Sequence, residues 1–450
     1  MTSPVATDDR PESDRRSRAA TADGGARVRR VGLVSVHTSP LDQPGTGDGG
    51  GLNVYVRQIM AGLVARGIEV DVFTRRTSRD VPDTITVDGG ARVHHIDAGP
   101  AHPVGKDALA NLLCAYVLGI QRHPTMGTHD VLHTHYWLSG WVGRRLAQRW
   151  DVPFVHTFHT LGVLKNANLA PGDVPETPLR LVAEERIARD ADRLLVLTCG
   201  EARLLHQAYG LGGQKLTVVR AGVDLARFHP DPDRAATRFS ERQGGPRLLF
   251  VGRLQPLKGP DLAVRILAEV RRRYSDATLE IIGGLSGNNG HATGPEQLRQ
   301  LADELRVGDA VSIKPALPQE QLVDRYRASD VVLVPSRSET FGLVALEAQA
   351  TGVPVVAARV GGLTSVVADA GGLVDGHDPV DHARAVVRLL DDPAAASAAR
   401  KAGLAKARRS TWDATVMRLI DAYTHVRRAR DQAARRDKCC DQTSGADVAV

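Results

Sequence analysis

The sequence predicts two doubly wound α/β domains facing one another across a cleft. Three observations point there. Short apolar runs alternate with stretches of helical periodicity. The alternation stops in a polar, proline- and glycine-bearing segment at residues 228–246 and then restarts. At 450 residues the chain also exceeds the usual size of one domain. The expected divisions are a disordered arm at 1–29, a first domain at 30–228, a linker at 229–246, a second domain at 247–410, a helix at 411–430 and a disordered tail at 431–450.

In the first half, residues 31–36 (VGLVSV) are apolar almost throughout, as a strand covered on both faces must be. A glycine-rich loop at 40–51 follows. Residues 53–65 then place Val54, Ile59, Leu63 and Val64 at helical spacing, and Gly67 ends the helix. Residues 70–74, 131–135, 152–157 and 194–198 read as strands, with helices at 109–121, 138–149 and 178–189. In the second half, strands are expected at 248–251, 277–282, 310–313, 331–334 and 355–357. Helices fit 261–272 and 318–328. A last helix at 412–430 fits either domain.

Composition removes several functional classes. No apolar run reaches eighteen residues, so no transmembrane helix is expected. The first thirty residues carry Arg15, Arg16, Arg18, Arg29 and Arg30 without the apolar centre of a secretory signal. The net charge is +6, with basic residues spread along the chain. The basic stretch at 427–438 suits a solvated helix end better than nucleic acid or anionic lipid. No nucleic-acid or membrane partner is therefore expected. Cys114, Cys199, Cys439 and Cys440 form neither a disulfide framework nor a zinc set, which fits reduced thiols in a cytoplasm.

Four segments carry chemistry. The stretch 336–354 (SRSETFGLVALEAQATGVP) places Glu339 in a polar loop and Glu347 eight residues on, inside a helix opening near Phe341 and Gly342. Eight residues return to about the same helical face, so the two carboxylates are expected to point together at sugar and ribose hydroxyls. The plain alternative is a loop glutamate beside a helix glutamate. The glycine-rich loop has neither a dinucleotide fingerprint nor a Walker A lysine. It reads as a ligand loop at a strand's carboxyl end, or else as a surface loop. His133, His135 and His159 cluster at strand ends. No carboxylate or cysteine lies at a spacing that would complete a metal site, so hydrogen bonding to a polar ligand fits better; His133 and His156 also fit as core histidines. Arg253 and Lys258, in VGRLQPLKGP, flank a turn between strand and helix, where two cations suit a diphosphate. A second glycine-rich loop starts at Gly283 and runs through Gly290.

Together these segments resemble the D-inositol 3-phosphate glycosyltransferases, retaining enzymes of the GT-B fold with two facing Rossmann-like domains. The resemblance covers roughly residues 30–428. It rests on VSVHTSPLDQPGTGDGGGLNVYV, HTHYWLSG, HTFHTLG, VGRLQPLKG, SETFGLVALEAQA and ARVGGL. It implies transfer of N-acetylglucosamine from UDP-N-acetylglucosamine to 1D-myo-inositol 3-phosphate, in mycothiol biosynthesis, by a cytoplasmic homodimer that needs no cofactor for catalysis.

Carried over by motif position, His37, Asp48, Gly49, Gly50, Gly51, Leu52 and Asn53 would approach the inositol phosphate. Lys106, Tyr136, Thr160 and Arg180 would surround its phosphate. Gln43, Pro44, Gly51 and Leu317 would adjoin the donor. Arg253 and Lys258 would hold the diphosphate, Glu347 the ribose and Glu339 the sugar, with His159 near the reacting centre. The family can also hold a magnesium ion, at positions that are Tyr326, Arg327, Ser329 and Val353 here. Val353 departs from the family's threonine. With no nucleophile evident near His159, front-face attack is expected. Rivals are a sucrose-phosphate synthase-like or inositol-lipid mannosyl transferase, a nicotinamide oxidoreductase, and a non-catalytic sugar-nucleotide module. The missing dinucleotide fingerprint argues against the oxidoreductase.

Overall fold

A computed structural model describes residues 27–125, 127–169, 174–231, 244–285 and 294–444. Most of the expected arm (1–26), the middle of the linker (232–243), the rest of the second glycine-rich loop (286–293) and the end of the tail (445–450) lie outside the described residues.

The chain forms two separate sheets. The first contains β1 (Arg30–Val34), β2 (Glu69–Arg75), β3 (Thr84–Thr86), β4 (Arg92–Ile96), β5 (Val131–His135), β6 (Phe154–Thr157), β7 (Arg193–Val196) and β8 (Leu216–Val218). Their order is β3-β4-β2-β1-β5-β6-β7-β8, and only β3 runs antiparallel to its neighbour. The second contains β9 (Arg247–Val251), β10 (Thr278–Ile282), β11 (Val311–Lys314), β12 (Val331–Val334), β13 (Val355–Ala358) and β14 (Gly371–Val374), in the order β11-β10-β9-β12-β13-β14.

Helices cover both faces of each sheet, so the central strands are buried along their length, as in VVLV of β12. In each sheet the winding direction reverses beside the first strand. β1 lies between β2 and β5, with Val31 opposite both Val70 and Val131. β9 lies between β10 and β12. Crevices at such reversals are where open α/β sheets bind ligands. The loops after β1, β9 and β12 are the ones the sequence singled out.

Four strands escape the sequence reading. β3 and β8 have only three residues each, β4 (RVHHI) carries polar side chains, and β14 (GGLV) opens on glycines. The expected helix at 109–121 is two helices, Lys106–Ala110 and Leu113–Gln121. The last helix runs Trp412–Ser444, so the stretch 431–444 is helical rather than a loose tail. This helix returns to the first domain. Tyr423 bonds His133 there at 2.7 Å, and Arg430 pairs with Asp151 at 2.7 Å.

One buried group ties neighbouring strands of the first sheet together. Asp71 on β2 is sealed from solvent and lies within 3 Å of Arg30, Arg92, His94 and His129. Burial raises its pKa, but hydrogen bonds from His129, His94 and Arg92 outweigh that and hold it well below the carboxylate range.

Candidate active site

The loop after β1 closes the space between the domains. Gln43 Nε2 donates to the Leu317 carbonyl at 3.0 Å, and the Gly284 N–H donates to the Gly45 carbonyl at 3.0 Å. Gly51 opens the helix Gly51–Val64 against Leu343 of the second domain. Asn53, 1% exposed, shapes the loop from behind. Its Oδ1 accepts from the Gly50 N–H at 2.9 Å, and its Nδ2 donates to Thr38 Oγ1 at 2.6 Å. The side chain of Asn53 is therefore an anchor of the loop rather than a free ligand group.

Around the carboxyl ends of β1, β5 and β6, the predicted residues His37, Tyr136, Thr160, Lys106 and Arg180 come together. Tyr136 directly follows β5, and its ring lies 4.4 Å from that of His37. The Arg180 guanidinium stands 4.9 Å and the Lys106 ammonium 5.8 Å from the Tyr136 ring centre. Thr160 bonds Arg180 through both its carbonyl and its hydroxyl at 3.0 Å. The remaining partners of Arg180 are the Tyr136 hydroxyl at 3.1 Å, Glu184 at 2.7 Å and Glu176 at 3.0 Å. Its five N–H groups face five acceptors, and of its two carboxylate partners Glu176 is the more exposed. Lys106 is paired with Asp48 at 2.8 Å.

Arg253 enters the same space from β9. Burial lowers its pKa, and Asp48, Tyr136 and Glu339 act against that, which places it between the two domains' polar groups. Its guanidinium makes no hydrogen bond to a described residue. Lys258, in the turn Pro256–Lys258, pairs with Glu339 at 2.6 Å. His37 is neutral: burial lowers its pKa first, then Lys106, His159, Arg253 and Arg180. The cleft thus gathers cations from both domains around a neutral ring.

Comparison with known proteins agrees with this geometry. Residues 233–406 match the family described as Glycosyl transferases group 1, and residues 50–222 match the Glycosyl transferase 4-like domain. The D-inositol 3-phosphate glycosyltransferase of Acidothermus cellulolyticus is 50% identical over 435 residues, covering 94% of this chain and 96% of that protein. The protein of the same name from Thermomonospora curvata is 46% identical, covering 88% and 95%. The chain belongs to the D-inositol 3-phosphate glycosyltransferase family. Among solved structures it is similar to sucrose-phosphate synthase from Thermosynechococcus elongatus, with a TM-score of 0.82 and 32% identity over 89% of this chain and all (100%) of that one. It is a glycosyltransferase of the GT-B fold.

In this transferase the two glutamates have different partners and do not share a helix. The helix carrying Glu347 begins only at Leu343, after Gly342 turns the chain at φ 103°. Glu339 therefore lies outside the helical register that the eight-residue spacing assumed. Glu339 faces Lys258. Glu347, 7% exposed, accepts from the Tyr326 hydroxyl at 2.9 Å and from Gln319 Nε2 at 3.2 Å. Burial pushes its pKa up to about 7 against those two donors. The ARVGGL motif supports Glu339 from below. The Gly362 N–H donates to the Glu339 carbonyl at 2.8 Å, and a Cβ on Gly361 would overlap that same oxygen.

The residues expected to hold magnesium do not fit it through their side chains. The Tyr326 hydroxyl is committed to Glu347, Ser329 Oγ donates to the Tyr326 carbonyl at 2.7 Å, Arg327 bonds His229, and Val353 is buried and apolar. A hard dication takes oxygen ligands, and none of these four side chains is a carboxylate. Among the described residues no group of three His, Cys, Asp or Glu could hold a metal.

His133 is a satisfied core histidine, bonded to the Tyr423 hydroxyl and to Thr157 Oγ1 at 2.9 Å. His156 bonds Thr134 Oγ1 at 2.6 Å but leaves Nε2 without a partner. His159 borders His135 and Tyr55. Sequence reasoning missed Glu176 and Glu184. Glu184, four residues after Arg180 in the helix Pro178–Asp190, shares its face and was the available signal; Glu176 precedes that helix and carried none. Nothing in the sequence marked Tyr55 as a neighbour of His159.

Proposed function

We propose that the chain transfers N-acetylglucosamine from UDP-N-acetylglucosamine to 1D-myo-inositol 3-phosphate, with retention of configuration. One observation carries the reading. Two anion-binding sets face each other: Lys106, Arg180, Tyr136 and Thr160 on the first domain, and Arg253 with Lys258 on the second. The first suits a phosphate monoester beside a polyol, the second a diphosphate. The names of the relatives supply the acceptor.

In this reading Arg253 meets the diphosphate directly, having no internal partner to surrender. Lys258 joins it as Glu339 turns to the sugar hydroxyls, and Glu347 accepts from the ribose. The acceptor hydroxyl oxygen attacks the anomeric carbon on the face that the diphosphate leaves. The bond to the phosphate oxygen breaks, and that oxygen takes the hydroxyl proton. No covalent step is assigned to His159 or Glu339: a pKa of about 3 makes the His159 imidazole a weak nucleophile, and Glu339 accepts from the sugar hydroxyls. Stabilisation of the leaving diphosphate by fixed cations supplies the main catalytic effect. No step runs through magnesium at Tyr326, Arg327, Ser329 and Val353. A homodimer and a cytoplasmic location complete the proposal on the strength of the resemblance; no helix among the described residues is long and apolar enough to cross a membrane.

The test is a transfer assay with product identification. UDP-N-acetylglucosamine with 1D-myo-inositol 3-phosphate should give an α-linked product, read from the anomeric coupling. Fructose 6-phosphate with a UDP-sugar tests the sucrose-phosphate synthase-like alternative, and GDP-mannose tests a mannosyl transferase. Faster turnover with either rival pair would overturn the assignment.

A further inference from the structure

His159 stands at φ +61°, a region that non-glycine residues rarely adopt, so its ring is aimed by its surroundings. Its Nε2 lies 3.0 Å from Nδ1 of His135. Its own Nδ1 has no partner among the described residues and is not a sealed atom, so this is the ring edge that reaches solvent. Burial pushes the His159 pKa down to about 3, and burial followed by His133 and His159 takes that of His135 well below the usual range. Both rings are therefore neutral. Two neutral imidazoles bonded nitrogen to nitrogen need one donor and one acceptor.

The other nitrogen of His135 decides which is which. His135 Nε2 is fully buried and has no partner among the described residues. The neighbouring His133, 4.2 Å away between ring centres, has both nitrogens committed and cannot supply one. A proton on His135 Nε2 would leave an orphaned N–H donor, the rarest state for a buried polar group. The proton belongs on Nδ1, where it is used. His135 then donates to His159 Nε2, and His159 carries its own proton on Nδ1.

We propose that His135 is a positioning residue that fixes His159 as an Nδ1–H donor at the cleft edge, directed at a lone pair of a sugar oxygen. The role toward sugar rests on the transfer reading above; the tautomer does not. Conserving the donor at residue 135 should matter more than conserving the ring.

The test combines a spectrum with kinetics on the full chain. Nitrogen-15 spectra of histidine-labelled protein, with and without UDP, should show His159 protonated on Nδ1. Protonation on Nε2 would overturn the proposal whether or not any sugar is transferred. His135→Ala should lower kcat roughly 10- to 100-fold, as loss of an orienting partner does, with UDP affinity unchanged. His135→Asn, whose amide N–H stands where Nδ1–H stood, should recover most of that loss. Equal losses in both variants, with UDP binding intact, would also overturn it. If the wild type transfers no sugar to any acceptor, the proposed function fails while the spectrum still decides the tautomer.

Discussion

The Lys258 ammonium lies 2.6 Å from the Glu339 carboxylate, although each is expected to serve a different part of the donor. In the proposed reading the pair neutralises internally a cation that the donor's diphosphate would take over. Binding must exchange one anion for another at Lys258, whereas Arg253 has nothing to exchange. The two cations should therefore differ. Arg253→Ala should weaken UDP binding by roughly 1.5–3 kcal/mol, the worth of a charge-assisted hydrogen bond. Lys258→Ala should weaken it less. Glu339→Gln should leave UDP binding equal or tighter while transfer falls. Calorimetry with UDP reads all three, and weaker binding by Glu339→Gln would contradict the exchange.

Glu347 gives the donor site a pH dependence. Burial holds its pKa up at about 7, against Tyr326 and Gln319. Ribose hydroxyls are donors and need the ionised form. Affinity for UDP-N-acetylglucosamine, whose phosphates do not titrate there, should rise between pH 6 and 8. Glu347→Gln should bind more weakly and without that slope. An equal slope in the variant would assign the dependence elsewhere.

Glu201 carries a stability counterpart. It is buried, and burial pushes its pKa up to about 7 against a single Leu197 N–H. A carboxyl raised above its unfolded value favours the fold below that unfolded value, and this contribution is lost as pH rises through about 7. The wild type should lose stability from pH 6 to 8. Glu201→Gln should lose less, as measured by denaturant midpoints at both values.

Asp71 should matter for folding and not for chemistry. Four partners converge on it at the edge of β2, away from the cleft loops. Asp71→Ala takes the shared carboxylate from the partly exposed Arg30 and Arg92 and leaves the buried His94 and His129 rings without their acceptor, at a cost of about 3–5 kcal/mol. Chemical denaturation should show that loss, while kcat per folded molecule stays unchanged. Since its pKa is depressed, its contribution is present above the unfolded carboxylate value and fades only in acid.

The central architecture was legible because both-face burial writes itself as continuous apolar runs, as in β1 and β12. Edge strands such as β3 and β8 bury little and leave no such trace. Loops that bind were visible through glycines and cations at strand ends. Their partners were not: the bonds from Gln43 to Leu317 and from His133 to Tyr423 join residues 274 and 290 positions apart, and no local pattern encodes them. Glu339 and Glu347 show the opposite failure. Their spacing suggested one helical face, but the helix begins at Leu343 and leaves Glu339 in the preceding loop.

The most direct measurement compares specificity constants for 1D-myo-inositol 3-phosphate and unphosphorylated myo-inositol, in the wild type and in Lys106→Ala. Lys106 stands beside Arg180 and the Tyr136 ring, and among the described residues its ion pair is with Asp48. The wild type should prefer the phosphate by at least about 10-fold, one charge-assisted contact's worth. The variant should lose most of that preference through a raised acceptor KM. Equal specificity constants in the wild type, or an unaltered preference in the variant, would contradict the assignment of this cluster to the acceptor's phosphate.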